Sequence, residues 1–102
     1  LMDFETKNYR FDRKRNVSGW DEIRKFKIEV KNTRDIVVKV EIQRNFPTQY
    51  WKLNTSREFE QVDLDTVKFT LNLKPRSKQV FEYTLTTYHG VRQEDSTRAR
   101  ER

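Results

Sequence analysis

FKIEVKNTRDIVVKVEI, residues 26–42, decides the fold of this chain. Apolar side chains stand at every second position on both sides of a short polar interruption, and this period of two is typical of half-buried β-strands. The interruption, NTRD at 32–35, consists of residues that favour turns. Two strands around a short turn predict a hairpin. The apolar positions are Phe26, Ile28, Val30, Ile36, Val38, Val40 and Ile42.

A second pair of alternating segments follows later in the chain. TVKFTLNL at 66–73 and QVFEYTLTTY at 79–88 each place apolar residues at every second position. Between them lies KPRSK at 74–78, where Pro75 presets a turn and removes a backbone donor. The sequence therefore predicts a second hairpin.

Three further segments complete the predicted set of strands. One is REFEQV at 57–62, centred on Phe59, and two aromatic-bearing extended segments occupy 2–11 and 20–26. No segment carries a sustained helical stripe with caps. Short strands separated by turn signals predict an all-β, immunoglobulin-like antiparallel β-sandwich of about seven strands. The predicted core is Phe26, Ile28, Val30, Val38, Val40, Ile42, Phe59, Val67, Phe69, Leu71, Phe81, Tyr83 and Leu85.

Length and composition limit the organisation of the chain. Its 102 residues fit one domain, and with 33% hydrophobic against 37% charged residues the core must be thin. We assign 1–90 to a single sandwich domain and expect 91–102 to be a charged, flexible tail. No apolar run reaches membrane-spanning length, so no membrane insertion of this segment is expected. Because the chain starts with Leu, we expect it to be a piece of a longer protein.

The turn and strand motifs resemble those of a known family. IEVKNTRDIVVKVEIQRNFP at 28–47 and FEQVDLDTVKFTLNLKPRSKQVFEYTL at 59–85 are similar to the C-terminal β-domain of mucoidy-inhibitor-A-like bacterial proteins, whose function is unknown. The resemblance covers roughly residues 24 to 90. The same stretches are also similar to related immunoglobulin-like domains of large bacterial envelope proteins. Together these resemblances imply an immunoglobulin-like fold in a bacterial protein and no established activity, and they favour a setting at the cell envelope.

The titratable residues do not form a catalytic pattern. His89 is the single histidine, and we expect it in an exposed loop without a serine nucleophile. Asp63 and Asp65 stand where a strand begins after a turn, where aspartates usually accept hydrogen bonds from backbone amides. Cysteine is absent, so no thiolate chemistry or disulfide is available. We expect no enzyme, no cofactor and no metal site.

Charge alone does not indicate nucleic-acid binding. The net charge is +6, with basic clusters at 13–15 and 74–78, but 16 acidic residues are interleaved with the basic ones. The sequence therefore favours a solvated surface, and nucleic acid is not the expected partner.

Aromatic residues near predicted strand ends give two interpretations. Trp20, Tyr50 and Trp51 could stack on sugar rings as a ligand-binding surface. The alternative is that Arg44 breaks the alternation at a bulge or sheet exit, and that Trp51 folds back over the core. We expect a non-catalytic structural or interaction module whose partner is another domain of its chain or a separate protein, with a polysaccharide-binding module as the alternative.

Overall fold

A computed structural model describes residues 2–94 as an all-β sandwich of two antiparallel sheets. The all-β prediction and the number of strands are confirmed. The seven strands are β1 (Asp3–Phe11), β2 (Val17–Lys31), β3 (Val38–Asn45), β4 (Trp51–Thr55), β5 (Glu60–Asp63), β6 (Thr66–Leu73) and β7 (Lys78–Gly90).

Strand order differs from sequence order in both sheets. The four-stranded sheet A has the order β1-β2-β7-β4, and the three-stranded sheet B has the order β3-β6-β5. Four of the six connections therefore cross from one sheet to the other, and only β1–β2 and β5–β6 are hairpins. Compared with a constant-type immunoglobulin domain, in which the sheets are ABED and CFG, the fifth and seventh strands have exchanged places.

Both hairpins predicted from the alternation are wrong. β2 pairs with β1 and β7, whereas β3 pairs with β6, so residues 32–37 form an arch between the sheets. Residues 74–77 form a second arch, because β6 belongs to sheet B and β7 to sheet A. In a hairpin the two apolar faces lie side by side, and in an arch they face each other across the core. Period-two alternation is the same in both cases.

The side chain of Asn32 joins the two arches. Its Nδ2 donates to the carbonyl oxygens of Ile36, Leu73 and Lys74 at 2.8, 3.2 and 3.0 Å. Its Oδ1 accepts from the backbone N–H of Arg34 at 3.0 Å. Asn32 is 5% exposed; its bond to the Leu73 carbonyl oxygen is buried and the other two are partly buried, so Leu73 in particular has little access to water as a substitute. We call this group of hydrogen bonds the Asn32 latch.

The core lies between β6, which is the central strand of sheet B, and β7, the strand of sheet A that β6 faces. Predicted core residues on these two strands are buried, and Phe46, Trp51 and Leu73 are buried with them. Phe59 was predicted in the core but is 41% exposed, because β5 starts after it and only one side of its ring meets Phe69. The remaining predicted core residues are half-buried: Phe26, Ile28, Val30, Val38, Val40 and Ile42.

Trp51 closes the end of the core remote from the Asn32 latch. It is the first residue of β4 and is 5% exposed. The centre of its ring lies 5.1 Å from the centre of the Phe46 ring, and its Nε1 donates to the carbonyl oxygen of Leu64 at 2.8 Å. The interpretation of Trp51 as a cover for the core is therefore confirmed.

The end of β7 turns back over β2 at Gly90. Gly90 has a φ of 60°, and a Cβ there would collide with the carbonyl oxygen of Ser18. Beyond it, the Arg92 guanidinium donates to both carboxylate oxygens of the buried Asp21, at 2.9 and 3.0 Å. Residues 91–94 of the predicted tail thus lie against the sheet, and 95–102 are outside the described residues.

Replacing Asn32 by Ala should lower the free energy of unfolding by about 3 kcal/mol. The substitution leaves one buried and three partly buried backbone groups without their Asn32 partner, and an unsatisfied buried group costs about 1–3 kcal/mol. Urea denaturation measures the change, with the exposed Asn54 of β4 replaced by Ala as the matched control. Equal stability of the two variants would contradict the role of the latch.

Replacing Trp51 by Ala should cost about 3–5 kcal/mol, as is usual when a buried large aromatic is truncated. Trp51→Phe should recover most of the apolar contact but leave the Leu64 carbonyl oxygen without its donor. Thermal and urea unfolding give the values. A loss within about 0.5 kcal/mol for Trp51→Ala would show that the ring does not support the core.

Candidate functional site

The three aromatic residues considered as a sugar platform lie in three different environments. Trp51 is enclosed in the core. Tyr50 lines a shallow depression with Gly90, Val91, Gln93 and Glu94. Trp20 stacks on the His89 ring at a centroid distance of 5.2 Å. The structure does not bring the three rings together on one surface.

His89 is not in a loop, as the sequence had suggested, but on β7 opposite Trp20. Its Nε2 lies 2.9 Å from the Thr87 hydroxyl and 3.3 Å from a Glu22 carboxylate oxygen. Burial acts to raise the pKa of Glu22, but hydrogen bonds from Arg24 and Trp20 and the charges of Arg24 and His89 together hold it below its ordinary value. The cluster is thus a connected polar network with its donors and acceptors matched.

Asp63 and Asp65 belong to the β5–β6 hairpin turn. Asp63 accepts from the backbone N–H of Leu64 at 2.7 Å, and Asp65 accepts from the Thr66 hydroxyl at 3.0 Å. The Asp63 contact is of the kind expected from the sequence, whereas Asp65 accepts from a side-chain hydroxyl and not from a backbone amide. Within residues 2–94, no three acidic or histidine side chains are grouped as a metal site would require.

The two basic clusters lie far apart. Residues 13–15 occupy the β1–β2 turn, where the Asp12 carboxylate accepts from two backbone amides. Residues 74–78 form the arch at the other end of β2, and Arg76 is paired there with Asp35 at 2.7 Å. A 15-residue strand separates the clusters, so they do not form one phosphate-binding surface.

The edge strands of the sheets differ in how they are protected. β1 contains a register shift at Asn8, which has a φ of 57°. β4 and β5 are only 5 and 4 residues long, and β5 has a register shift as well. β3 is 8 residues long and pairs with β6 without any shift. Bulges and short length normally prevent edge strands from pairing with other chains, and β3 has neither.

The inner face next to β3 is open. Sheet A has one strand more than sheet B, and side chains of β1 are exposed at every position except Thr6. Phe4 on β1 is 48% exposed. Between β2 and β3 lies a cleft of about 250 Å³ with an aromatic floor. We call this cleft the seam; its lining is Arg24, Phe26, Arg44, Asn45, Phe46, Pro47, Tyr83 and Leu85.

Arg44 projects into the seam from the inner face of β3. It pairs in register with the buried Val67, and β3 continues to Asn45. The predicted bulge at Arg44 is therefore absent, whereas the predicted exit from the sheet follows directly, since β3 ends at Asn45. Its Nε donates to the Tyr83 hydroxyl at 2.9 Å, and its guanidinium carbon lies 5.6 Å from the centre of the Phe26 ring. Within residues 2–94, no carboxylate is paired with Arg44.

Arg24 supplies a second positive charge to the seam. It forms an ion pair with Glu22 at 2.8 Å, and its guanidinium carbon stands 4.7 Å from the centre of the Phe4 ring. Because Glu22 also accepts from Trp20, the network around His89 holds Arg24 in place beside the cleft. The seam therefore combines a positive rim with an apolar floor.

The sequence carries one indication of this site. Arg44 occupies the phase of Val38, Val40 and Ile42, so a charged side chain stands on the face where the other positions of β3 are apolar. The strand pairing that creates the open seam could not be read from alternation.

Comparisons with known proteins add no relative: no family model, no curated protein and no solved structure matches the chain. The resemblance to mucoidy-inhibitor-A-like domains thus rests on the quoted motifs. In the described part of the chain, no helix is long and apolar enough to cross a membrane.

The alkaline limit of stability should depend on Tyr83. Burial raises the pKa of its phenol above the ordinary 10.0, against the opposing charge and hydrogen bond of Arg44. A raised pKa in the folded state contributes stability below pH 10, and this contribution is lost as pH rises from 10 through the folded-state pKa.

Urea denaturation on both sides of pH 10 tests this for the original chain and Tyr83→Phe. The original chain should lose more stability than the variant as the pH rises, because phenylalanine has no group to ionise. Lysine titration is common to both and cancels in the comparison. If the free energy of unfolding fell equally with pH in both proteins, the dependence of alkaline stability on Tyr83 would be contradicted.

Proposed function

We propose that this chain is a non-catalytic interaction module of a larger bacterial protein, and that it accepts an extended strand from a protein partner at the free edge of β3. The partner is another domain of the same chain or a separate protein. We further propose that the fold is a variant of the immunoglobulin-like sandwich. The resemblance to bacterial envelope domains favours a protein that acts at the cell envelope.

The observation that carries the proposal is the long, regular edge of β3. Each edge strand leaves a row of backbone N–H and C=O groups without sheet partners. At β3 this row is 8 residues long, regular and free of proline. Addition of a strand to such an edge satisfies these groups, and the neighbouring side chains then determine which strand is accepted.

An added strand would also complete the sandwich. It would become the fourth strand of sheet B and would lie opposite β1, which has no strand of sheet B over it. Its inward side chains would cover Phe4, Phe26 and Ile42, which are exposed or half-buried in the chain by itself. Each square ångström of apolar surface so buried contributes roughly 25 cal/mol.

For the polysaccharide alternative, the three candidate aromatic residues do not form a common binding surface. Stacking on a sugar chain requires aromatic faces on a common surface, and Trp20, Tyr50 and Trp51 do not share one. Tryptophan emission across a panel of polysaccharides should therefore stay constant, and a saturable change would favour the alternative.

Strand addition can be tested with the synthetic peptide Lys-Thr-Val-Thr-Val-Thr-Val-Lys, whose valines alternate as an inward face requires. Amide chemical shifts in a two-dimensional NMR spectrum should change along β3 and in the seam, and only slightly along β4 and β5. Binding should be weak, because an eight-residue peptide loses much conformational freedom on docking.

Two N-methylated forms of this peptide provide the control. Methyl groups on alternate residues remove the donors from one edge of the peptide strand only. One form should lose binding and the other should keep it, since only one edge meets β3. Equal behaviour of the two forms, or shifts located away from β3, would overturn the proposal.

A further inference from the structure

The chemistry of the accepted strand follows from the inner face of β3. Val38, Val40, Ile42 and Arg44 succeed one another on this face at intervals of two residues. Residues directly opposite each other on neighbouring antiparallel strands point to the same face. A strand beside β3 therefore presents one side chain to each of these four positions.

Building on the proposed function, we propose that the seam selects strands in which an acidic residue is followed, at two-residue intervals, by apolar residues. In an antiparallel strand the acidic residue lies opposite Arg44, and the apolar residues lie opposite Ile42, Val40 and Val38. The partner motif is acid-x-apolar-x-apolar-x-apolar. Every strand pair described in this fold is antiparallel, and the added strand follows the same arrangement.

The acidic position is set by two guanidinium groups. The Nε of Arg44 is occupied by the Tyr83 hydroxyl, which fixes the plane of the group and leaves its Nη donors for a ligand. Arg24 lines the same cleft and is held by Glu22 on one side and by the Phe4 ring on the other. A carboxylate between them gains charge-assisted hydrogen bonds in a geometry suited to arginine.

The apolar positions are set by half-buried side chains. Phe26 and Ile28 of β2 and Ile42 of β3 pack against the core and are only partly buried, and Val40 of β3 is partly buried as well. A polar side chain at the opposing positions of the partner would lose water without gaining a hydrogen-bond partner. Apolar side chains are therefore selected next to the single acidic one.

A second copy of this chain fits the seam poorly. The inner face of β3 holds no acidic residue to set against Arg44 of another copy. Each chain also carries a net charge of +6, so two copies repel each other. A different protein segment that supplies a carboxylate fits both observations.

The experiment compares two peptides of identical composition. Glu-Lys-Val-Ser-Val-Lys-Ile places the glutamate on the face of the apolar residues, and Lys-Glu-Val-Ser-Val-Lys-Ile places it on the opposite face. Fluorescence anisotropy of labelled peptides gives the dissociation constants. The first peptide should bind about tenfold more tightly, as expected for one charge-assisted contact. Equal affinities would overturn the proposal.

Arg44→Gln should abolish the preference for the first peptide over the second. The matched control is Lys39→Gln, which removes one positive charge from the exposed outer face of the same strand and should preserve the preference. Thermal unfolding of both variants verifies that they are folded. If Lys39→Gln abolished the preference as well, general charge attraction would be the explanation and the proposal would fail.

The outcomes separate this inference from the proposed function. Binding of the neutral valine peptide at β3 without any effect of glutamate position leaves strand addition standing and refutes acidic selection. Failure of every peptide to shift β3 refutes both. A dimer in analytical ultracentrifugation whose formation protects the β3 amides from hydrogen exchange would identify a second copy as the occupant and overturn the proposed partner.

Discussion

The Asn32 amide determines how the rest of this fold is arranged. By bonding to carbonyl oxygens on both arches, it holds the connections β2–β3 and β6–β7 together at one end of the sandwich. Each connection then places its two strands in different sheets, with their apolar faces toward each other. The backbone N–H of Asn32 adds a bond to the Ser77 carbonyl oxygen at 2.8 Å, so the latch fixes backbone as well as side chain.

The separation of β2 from β3 has a consequence at the other side of the sandwich. β2 is flanked by β1 and β7 within sheet A, while β3 has a neighbour on one side only. Sheet A thus extends one strand beyond sheet B, and the core is open where β3 faces β2. The arginines and aromatic rings of the seam lie at this opening, where a charge can remain partly hydrated while its hydrocarbon stem covers apolar surface.

Alternation in the sequence located most of the strands and the central core, because burial of one face imposes a period of two whatever the pairing. It identified Phe69, Leu71 and Tyr83 correctly for this reason. Pairing could not be predicted in the same way, since a hairpin and an arch present the same pattern, and the choice depends on hydrogen bonds of Asn32 to residues about 40 positions away. The seam could not be predicted either, because it results from this strand pairing. The sequence showed only that Arg44 is a charged residue in an otherwise apolar phase of β3.

Hydrogen exchange of the β3 amides tests the central claim most directly. In the chain alone, amides that point toward the free edge should exchange rapidly and those bonded to β6 slowly, which gives an alternating pattern along Val38–Asn45. Addition of a peptide with glutamate on its apolar face should protect the rapid set. Uniform protection of β3 in the chain alone, or rapid exchange that the peptide leaves unchanged, would contradict the account.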